Sequence, residues 1–489
     1  MTGKKISQRS LLISAALLAG YFLFRLLDQS QMVRSFPFDA FANDWSGHIA
    51  RLFFLSQYGF GLVPDWFNGY FPLQFYPPGF YMFSLPFFLV LGDILAAVYL
   101  SVVALYALAF LFVWQYRLVG FNRLQRVLFF LFVFANPVAI GYYLRLGKIP
   151  ELQAWVWGLA FVALVLYYRN RPLDRYIFLL IPLGTIVIYS HILAAIVLGL
   201  AAVALSVARP FREQALLAFC GLVVLFLTMP FWYPFLTQLD TTVTAETYPL
   251  QWLILPGNVT DKVVSIVVPV LFWILGLVYM RTIHLRRQEK WFWSLLLAFS
   301  ALFATRLLAF VPLLNRPTPD SYHMLFIILS SFLALKLLAS DTRQARLLAK
   351  ALPGFVGFGI LLSVMVTPLF TPLTPPLEEA LDSLADVDGR LLVLGNFPHY
   401  GPIYTYGLLH YGIQSPGGWG KEGAGVQHTR DLTEVFTAFP QRDCAALMRG
   451  LQKVDAEEVL TTRDSCEFLL ACGLEEKKRG QEVCLLRRK

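Results

Sequence analysis

Nothing constrains the fold of this chain more than a series of apolar runs, each long or nearly long enough to cross a bilayer. They lie near 11–27, 94–114, 127–144, 150–168, 176–190, 191–207, 214–233, 262–281, 291–312, 321–340 and 350–369. About 20 apolar residues in a helix match a hydrocarbon core of about 30 Å. A helix also satisfies its own backbone polar groups, which lipid cannot do. The composition agrees, with 57% hydrophobic and 15% charged residues and a mean hydropathy of +0.61. These values exclude an ordinary soluble domain. A polytopic α-helical membrane protein with about eleven transmembrane helices is the expectation.

The net charge of +9 fits topology rather than nucleic acid. Lys4, Lys5 and Arg9 precede the first run, and Arg117/Arg123/Arg126, Arg169/Arg171/Arg175, Arg209/Arg212, Arg281/Arg286/Arg287/Lys290 and Arg343/Arg346/Lys350 fall in short loops. The positive-inside rule is obeyed throughout if these loops face the cytoplasm. That holds only if the apolar stretch 78–92, short and broken by Pro86, does not span. It is therefore expected to be a re-entrant or interfacial helix. The first run lacks a small-residue cleavage site, with Arg25 and Asp28 at its end, so it is expected to remain as an uncleaved span. The N-terminus then lies inside and the tail outside.

On this topology most acids of the membrane region, namely Asp28, Asp39, Asp44, Asp65, Glu151, Asp240, Glu246, Asp261 and Asp320, collect on the outer side. Residues 28–77 form the first outer loop, whose length indicates function and whose aromatic content argues against disorder; short interfacial helices are expected there. Beyond the proline-rich stretch 367–376, residues 376–489 hold 13 Lys+Arg against 17 Asp+Glu, a soluble type of sequence. The chain divides accordingly into a transmembrane domain, 1–370, and a tail domain, 371–489. In the tail, strands are predicted at 390–395, 458–462 and 483–486, and helices near 377–386, 430–438 and 443–451. This describes a small α/β fold. Cys444, Cys466, Cys472 and Cys484, on the outer side and without a CxxC pair, predict one or two disulfides rather than zinc.

Candidate chemistry concentrates in two outer motifs. Asp44-Trp-Ser-Gly-His48-Ile-Ala-Arg51 places Asp44 and His48 on one helix face, with Asp39 nearby; ionisable groups beside a bilayer are costly enough to indicate function. The competing reading is an interfacial helix with solvated polar groups. Tyr142-Tyr-Leu-Arg145-Leu-Gly-Lys148-Ile-Pro-Glu151 sets two cations and an acid at a span end. Arg145 could grip a phosphate as a fork and Lys148 as a point charge, against ordinary snorkelling. His191, Arg306, Arg316 and His323 also approach the outer face. A packing role competes for His191. Two tail loops, Asn396–Gly401 with His399 and Ser415–Gly420 with Trp419, have the aromatic and glycine content of carbohydrate or lipid contacts, though glycines also simply shape turns. No GxGxxG, Walker, HExxH or GxSxG pattern meets its required context.

The first motif, followed by Asp65-Trp66, Gly69-Tyr-Phe-Pro72, Tyr76-Pro-Pro78, Arg145-Leu-Gly147, Pro150-Glu151 and Ser190-His191, resembles the 6-pyruvoyl-tetrahydropterin synthase-related membrane proteins. That family looks like a branch of the C-type (GT-C) glycosyltransferases, and the resemblance covers essentially the whole chain. It implies a GT-C-like helical bundle, with re-entrant or interfacial helices and a small extracytoplasmic α/β domain. It also implies an inverting transfer from a polyprenyl-phosphate sugar to an extracytoplasmic glycan, lipid or protein. By similarity the catalytic group is Asp44, with His48 and Glu151 beside it. Arg145, Lys148, Arg306 and His323 fall to the donor phosphate. Asp39, Arg51, Trp66, Tyr76 and His191 fall to acceptor or sugar. Whether a divalent cation such as Mg or Mn assists stays open. Two other readings remain: a carrier or flippase for a lipid-linked or polar solute, and a non-catalytic glycan-assembly subunit. Polar groups gathered at span ends favour the enzyme, since a transport route needs some at mid-membrane.

Overall fold

A computed structural model describes residues 2–38, 43–237, 259–311, 314, 319–340, 342–371, 373–397, 400–418 and 423–489. Each of the eleven apolar runs overlaps at least one helix among the described residues. Among the described residues, six helices are long and apolar enough to cross a membrane, or seven if the bent pair Arg123–Phe134 and Pro137–Leu146 counts as one span. The expected eleven are thus not reached by length alone. The shortfall falls on segments such as Arg175–Ser190 and Ile192–Val207, which are apolar but short. Gly79–Leu91, with Pro86 inside, is 13 residues long. At 1.5 Å per residue it covers about 20 Å, too little for a span.

The chain forms two compact units: residues 1–29, 102–229 and 246–369 in one, and 30–101, 230–245 and 370–489 in the other. The first is a helical bundle. Its helix Ile149–Tyr168 is buried along most of its length, as is Ser321–Leu338, with 83% of each apolar window covered. Both are inner helices, and the apolar sides of their neighbours close around them.

In the second unit, a four-stranded sheet runs β1 (Leu391–Val393), β2 (Glu458–Thr462), β4 (Val483–Arg487), β3 (Glu475–Arg479) across its width. β1 and β2 are parallel, and the other pairs antiparallel. The strands β1 and β4 are near-continuous apolar runs, and these two and β2 are almost wholly buried, as a sheet covered on both faces requires. β3, Glu-Glu-Lys-Lys-Arg, is an exposed edge, which the sequence reading passed over because nothing in it alternates. Helices Gly401–Tyr411 and Arg463–Ala471 were likewise not expected. The cysteines pair Cys444 with Cys472 and Cys466 with Cys484.

The first-loop residues share this unit with the tail. Helix Asn43–Tyr58 is followed by an irregular stretch tied to the tail by backbone bonds: Phe67 N–H to Ser415 O at 3.0 Å, Ser415 N–H to Asp65 O at 2.9 Å and Phe71 N–H to Gly423 O at 3.2 Å. Gly423 has φ +102°, and a Cβ there would stand 2.3 Å from Phe71 O, so this close approach demands glycine.

Candidate functional site

In the unit containing the tail, helix Asn43–Tyr58 carries Asp44 in its first turn, where a carboxylate complements the helix dipole. Asp44 is half-buried, whereas Trp45, His48 and Arg51 are buried. Spacing of three and four residues keeps 44, 48 and 51 near one face. His48 Nδ1 lies 2.7 Å from the Tyr81 hydroxyl, and the Arg51 guanidinium sits over the Tyr76 ring, 4.0 Å from its centroid. The Thr405 hydroxyl donates to the Ser46 carbonyl at 3.2 Å. The helix bearing Asp44 is thus oriented by Gly79–Leu91 on one side and by the tail helix Gly401–Tyr411 on another. Trp66, 1% exposed, packs against Phe54 and Tyr404, a core residue of this unit. Tyr81 and Thr405 escaped sequence reasoning. Their partners lie 33 and 359 residues away, and no local pattern signals either contact.

In the other unit, the second motif folds as a π-helix, Ile140–Leu146, ended by Gly147 at φ +86°. π-helical turns gather at functional sites. Arg145 is buried; it donates to Gln29 Oε1 and to the Leu369 carbonyl, each at 2.9 Å. Its fork therefore ties three segments of the bundle. Glu151, in the first turn of Ile149–Tyr168, is buried and accepts from Trp155 Nε1 at 3.2 Å and from the Ser321 hydroxyl at 2.8 Å. His191 caps the helix Ile192–Val207, its Nδ1 accepting from Ala194 N–H at 3.3 Å, which fixes the tautomer and leaves Nε2 for other contacts.

Arg306 and His323 differ from these satisfied groups. Arg306 sits in the left-handed region, at φ +64°, just after helix Arg287–Ala304. Its Nη2 donates to the Ser265 hydroxyl at 2.6 Å, while its buried Nη1 has no partner among the described residues. His323 is 1% exposed, and neither ring nitrogen has a partner among the described residues. Both side chains border Phe303: the guanidinium lies 5.4 Å from its ring and the imidazole 5.4 Å. Arg306 and Lys148 are the charged groups that act on His323, and Glu151 and Lys148 those that act on His191. Buried polar atoms are rarely left unpaired, and three such donors or acceptors beside a second cation form a setting for an anion. The described residues contain no group of three or more His, Cys, Asp or Glu side chains that could hold a metal. Asp39, Arg316, His399 and Trp419 lie outside the described residues, as do Asp240 and Glu246 and the side chains of Asp261 and Asp320.

No family model and no curated protein matches this chain. Its fold is shared with solved structures, among them oligosaccharyltransferases. The apo oligosaccharyltransferase of Archaeoglobus fulgidus superposes with a TM-score of 0.58 at 12% identity, over 93% of this chain and 69% of the other. The Archaeoglobus fulgidus oligosaccharyltransferase AglB, in complex with an inhibitory peptide and a dolichol-phosphate, gives 0.53 at 10% identity, over 91% and 69%. ArnT from Cupriavidus metallidurans, bound to undecaprenyl phosphate, gives 0.51 at 14% identity, over 97% of each chain. These likenesses show a shared fold, in which apolar helices are joined to a small C-terminal sheet domain.

Proposed function

We propose that this protein is an inverting glycosyltransferase that takes a sugar from a polyprenyl-phosphate donor and places it on an extracytoplasmic glycan, lipid or protein. The observation that carries the reading is the Arg306–His323 pair, in which Arg306 Nη1 and both His323 ring nitrogens, all buried, lack partners among the described residues in a fold shared with proteins seen holding dolichol-phosphate and undecaprenyl phosphate. Preorganised donors aimed where charge develops are the usual source of rate in such transfers. Arg306, His323 and Lys148 receive the donor phosphate. Arg145 positions the π-helix that precedes Lys148, and Glu151 fixes Ile149–Tyr168 against Ser321.

In the transfer, the acceptor hydroxyl oxygen attacks the anomeric carbon from the face opposite the phosphate. The bond from that carbon to the phosphate oxygen breaks, and its electron pair leaves on polyprenyl phosphate. The hydroxyl proton passes to the Asp44 carboxylate as general base. His48, held by Tyr81, and Arg51, stacked on Tyr76, orient the helix face that presents Asp44. Two disulfides in the tail support an oxidising, extracytoplasmic setting for it, with the N-terminus inside. Kinship with the pyruvoyl-tetrahydropterin synthase-related branch belongs to the same proposal and rests on the outer motifs.

The test is transfer of radiolabel from a panel of polyprenyl-phosphate monosaccharides into membrane acceptors, wild type against Asp44→Asn at matched expression. Loss of general-base catalysis predicts a fall of about 10²–10⁴-fold in rate with donor binding retained. Equal rates in the two proteins would remove Asp44 from the reaction. Absence of transfer from every donor by a folded wild type would favour the carrier reading.

A further inference from the structure

Helix Pro319–Leu338 carries His323 near one end and Lys336 near the other, 13 residues or about 20 Å apart along the axis. Near the Lys336 end, in the same unit, lies a cavity of about 410 Å³ lined by Arg117, Gly120, Tyr167, Arg169, Asn170 and Arg171 among others. The spans Ile94–Val119 and Ile149–Tyr168 both end there. Such carboxyl ends carry partial negative charge, which ordinarily repels anions. Here that charge is covered: Lys336 donates to the Val119 carbonyl, Arg169 to the Leu166 carbonyl and Arg286 to the Asn170 carbonyl.

Two further cations remain. The carboxylate in this cluster, Glu289, is already bound by Arg169 Nε at 2.7 Å, both side chains being largely buried. Arg171 lies over the Tyr167 ring, 4.3 Å from its centroid, and is exposed. Arg117 is exposed, and its side chain makes no hydrogen bond or ion pair among the described residues. Arg126, whose Nη1 donates to the Trp114 carbonyl at 3.1 Å, adds to the positive field. The apolar Leu118, 51% exposed, belongs to the lining, and Trp114, 38% exposed, lies three residues before Arg117; aromatic rings of this kind mark the level of lipid headgroups.

We propose that this cavity binds the phosphate headgroup of an anionic membrane lipid, gripped by Arg117 and Arg171, with its acyl chains lying along the exposed apolar side of Ile94–Val119. A free phosphate would share the charge chemistry but would have no use for a site at the termini of two apolar helices. Basic pockets between transmembrane helices suit such headgroups. The site is independent of the donor phosphate and of the transfer reaction.

The experiment is native mass spectrometry of the full chain ejected from nanodiscs of equal phosphatidylglycerol and phosphatidylcholine. It compares the wild type with Arg117→Gln/Arg171→Gln, with Arg117→Lys/Arg171→Lys, and with the control Arg212→Gln/Lys350→Gln in other loops. The wild type should retain a phosphatidylglycerol adduct over phosphatidylcholine. The Gln pair should weaken retention about 30-fold, from about 1 kcal/mol per cation near a charged headgroup at about 1.4 kcal/mol per tenfold. The Lys pair should keep most of it, and the control all of it. Equal retention by wild type and Gln pair, or equal retention of the two lipids, overturns the proposal. Displacement of the adduct by millimolar inorganic phosphate reassigns the cavity to a small free anion and overturns it too. Should the Gln pair fail to fold, the salt dependence of the wild-type adduct decides: a phosphate grip weakens as salt rises, and an insensitive adduct refutes it.

Discussion

Replacing Arg306 by Gln separates a ligand-binding cation from a structural one, because the first role predicts a loss seen only with ligand and the second a loss without it. In the unliganded protein Arg306 gains one hydrogen bond, to Ser265 at 2.6 Å, and carries a buried Nη1 with no partner among the described residues. The bond has a charged donor and is worth about 1.5–3 kcal/mol, and a buried unsatisfied group costs about 1–3 kcal/mol. The two nearly cancel, so Arg306→Gln should leave the unliganded protein within about 2 kcal/mol of the wild type. With polyprenyl phosphate bound, the variant loses a charged hydrogen bond worth about 1.5–3 kcal/mol, a weakening of about 10–100-fold. At a ligand concentration about 100 times the wild-type Kd, binding stabilises the wild type by about 2.7 kcal/mol. A variant weakened about 30-fold would gain only about 0.9 kcal/mol by the same relation. Thermal unfolding followed by tryptophan fluorescence, with and without polyprenyl phosphate, reads both quantities. An equal gain in the two proteins refutes the reasoning. So does an unliganded variant that loses more than about 2 kcal/mol, since Arg306 would then hold the fold rather than the phosphate.

Tyr81→Phe removes the partner of His48 Nδ1 and should cost about 1 kcal/mol or more of stability, with transfer reduced through a reoriented His48; thermal unfolding beside a transfer assay checks this, and an unchanged protein on both counts contradicts it. Removing the bridge that spans 18 residues, by Cys466→Ala with Cys484→Ala, should destabilise the tail by about 2–5 kcal/mol, visible as an earlier unfolding step and faster proteolysis of the tail. Burial pushes His428 below its ordinary value, although its Nε2–H donates to the Pro416 carbonyl at 2.6 Å. Because the unfolded chain binds the proton more readily, this contribution is intact above about pH 6.5 and is lost as pH falls towards the folded value. His428→Gln should flatten that part of the stability profile between neutral and mildly acidic pH, and an identical profile would sink the assignment.

The apolar helices were legible because period and length alone decide them. What lipid-facing chemistry could not reveal was where a helix breaks: the turn at 140–146 became π-helical, and Ile192–Val207 begins where His191 turns extended at φ −163°. Strand β2 was read at its observed limits, Glu458–Thr462, since its β-branched and apolar residues stand between polar flanks. Helix Gly401–Tyr411 was hidden by its glycines and aromatics, which favour no period. For the site, the sequence supplied Asp44, Arg306 and His323 as residues but not their circumstances. Arg145 is consumed by Gln29 and Leu369, 116 and 224 residues away, whereas Arg306 keeps a nitrogen unpaired among the described residues. That difference arises from packing, to which local spacing is blind.

The charged edge strand Glu475–Arg479 acquires significance from confinement. Copies of a membrane protein diffuse in two dimensions, so their soluble parts meet repeatedly at one height and in one upright attitude. An apolar edge presented that way would encounter its duplicate already aligned for strand pairing. The other edge of this sheet is closed from within, Leu391 N–H bonding to Gln414 O at 3.0 Å and the Ser415 hydroxyl to Leu391 O at 2.8 Å. β3, with every residue polar and its cations engaged with Asp386, Asp388 and Glu467, presents instead a hydrated row that a second copy would have to strip of water. In a bilayer, a charged edge of this kind disfavours strand pairing between neighbouring copies.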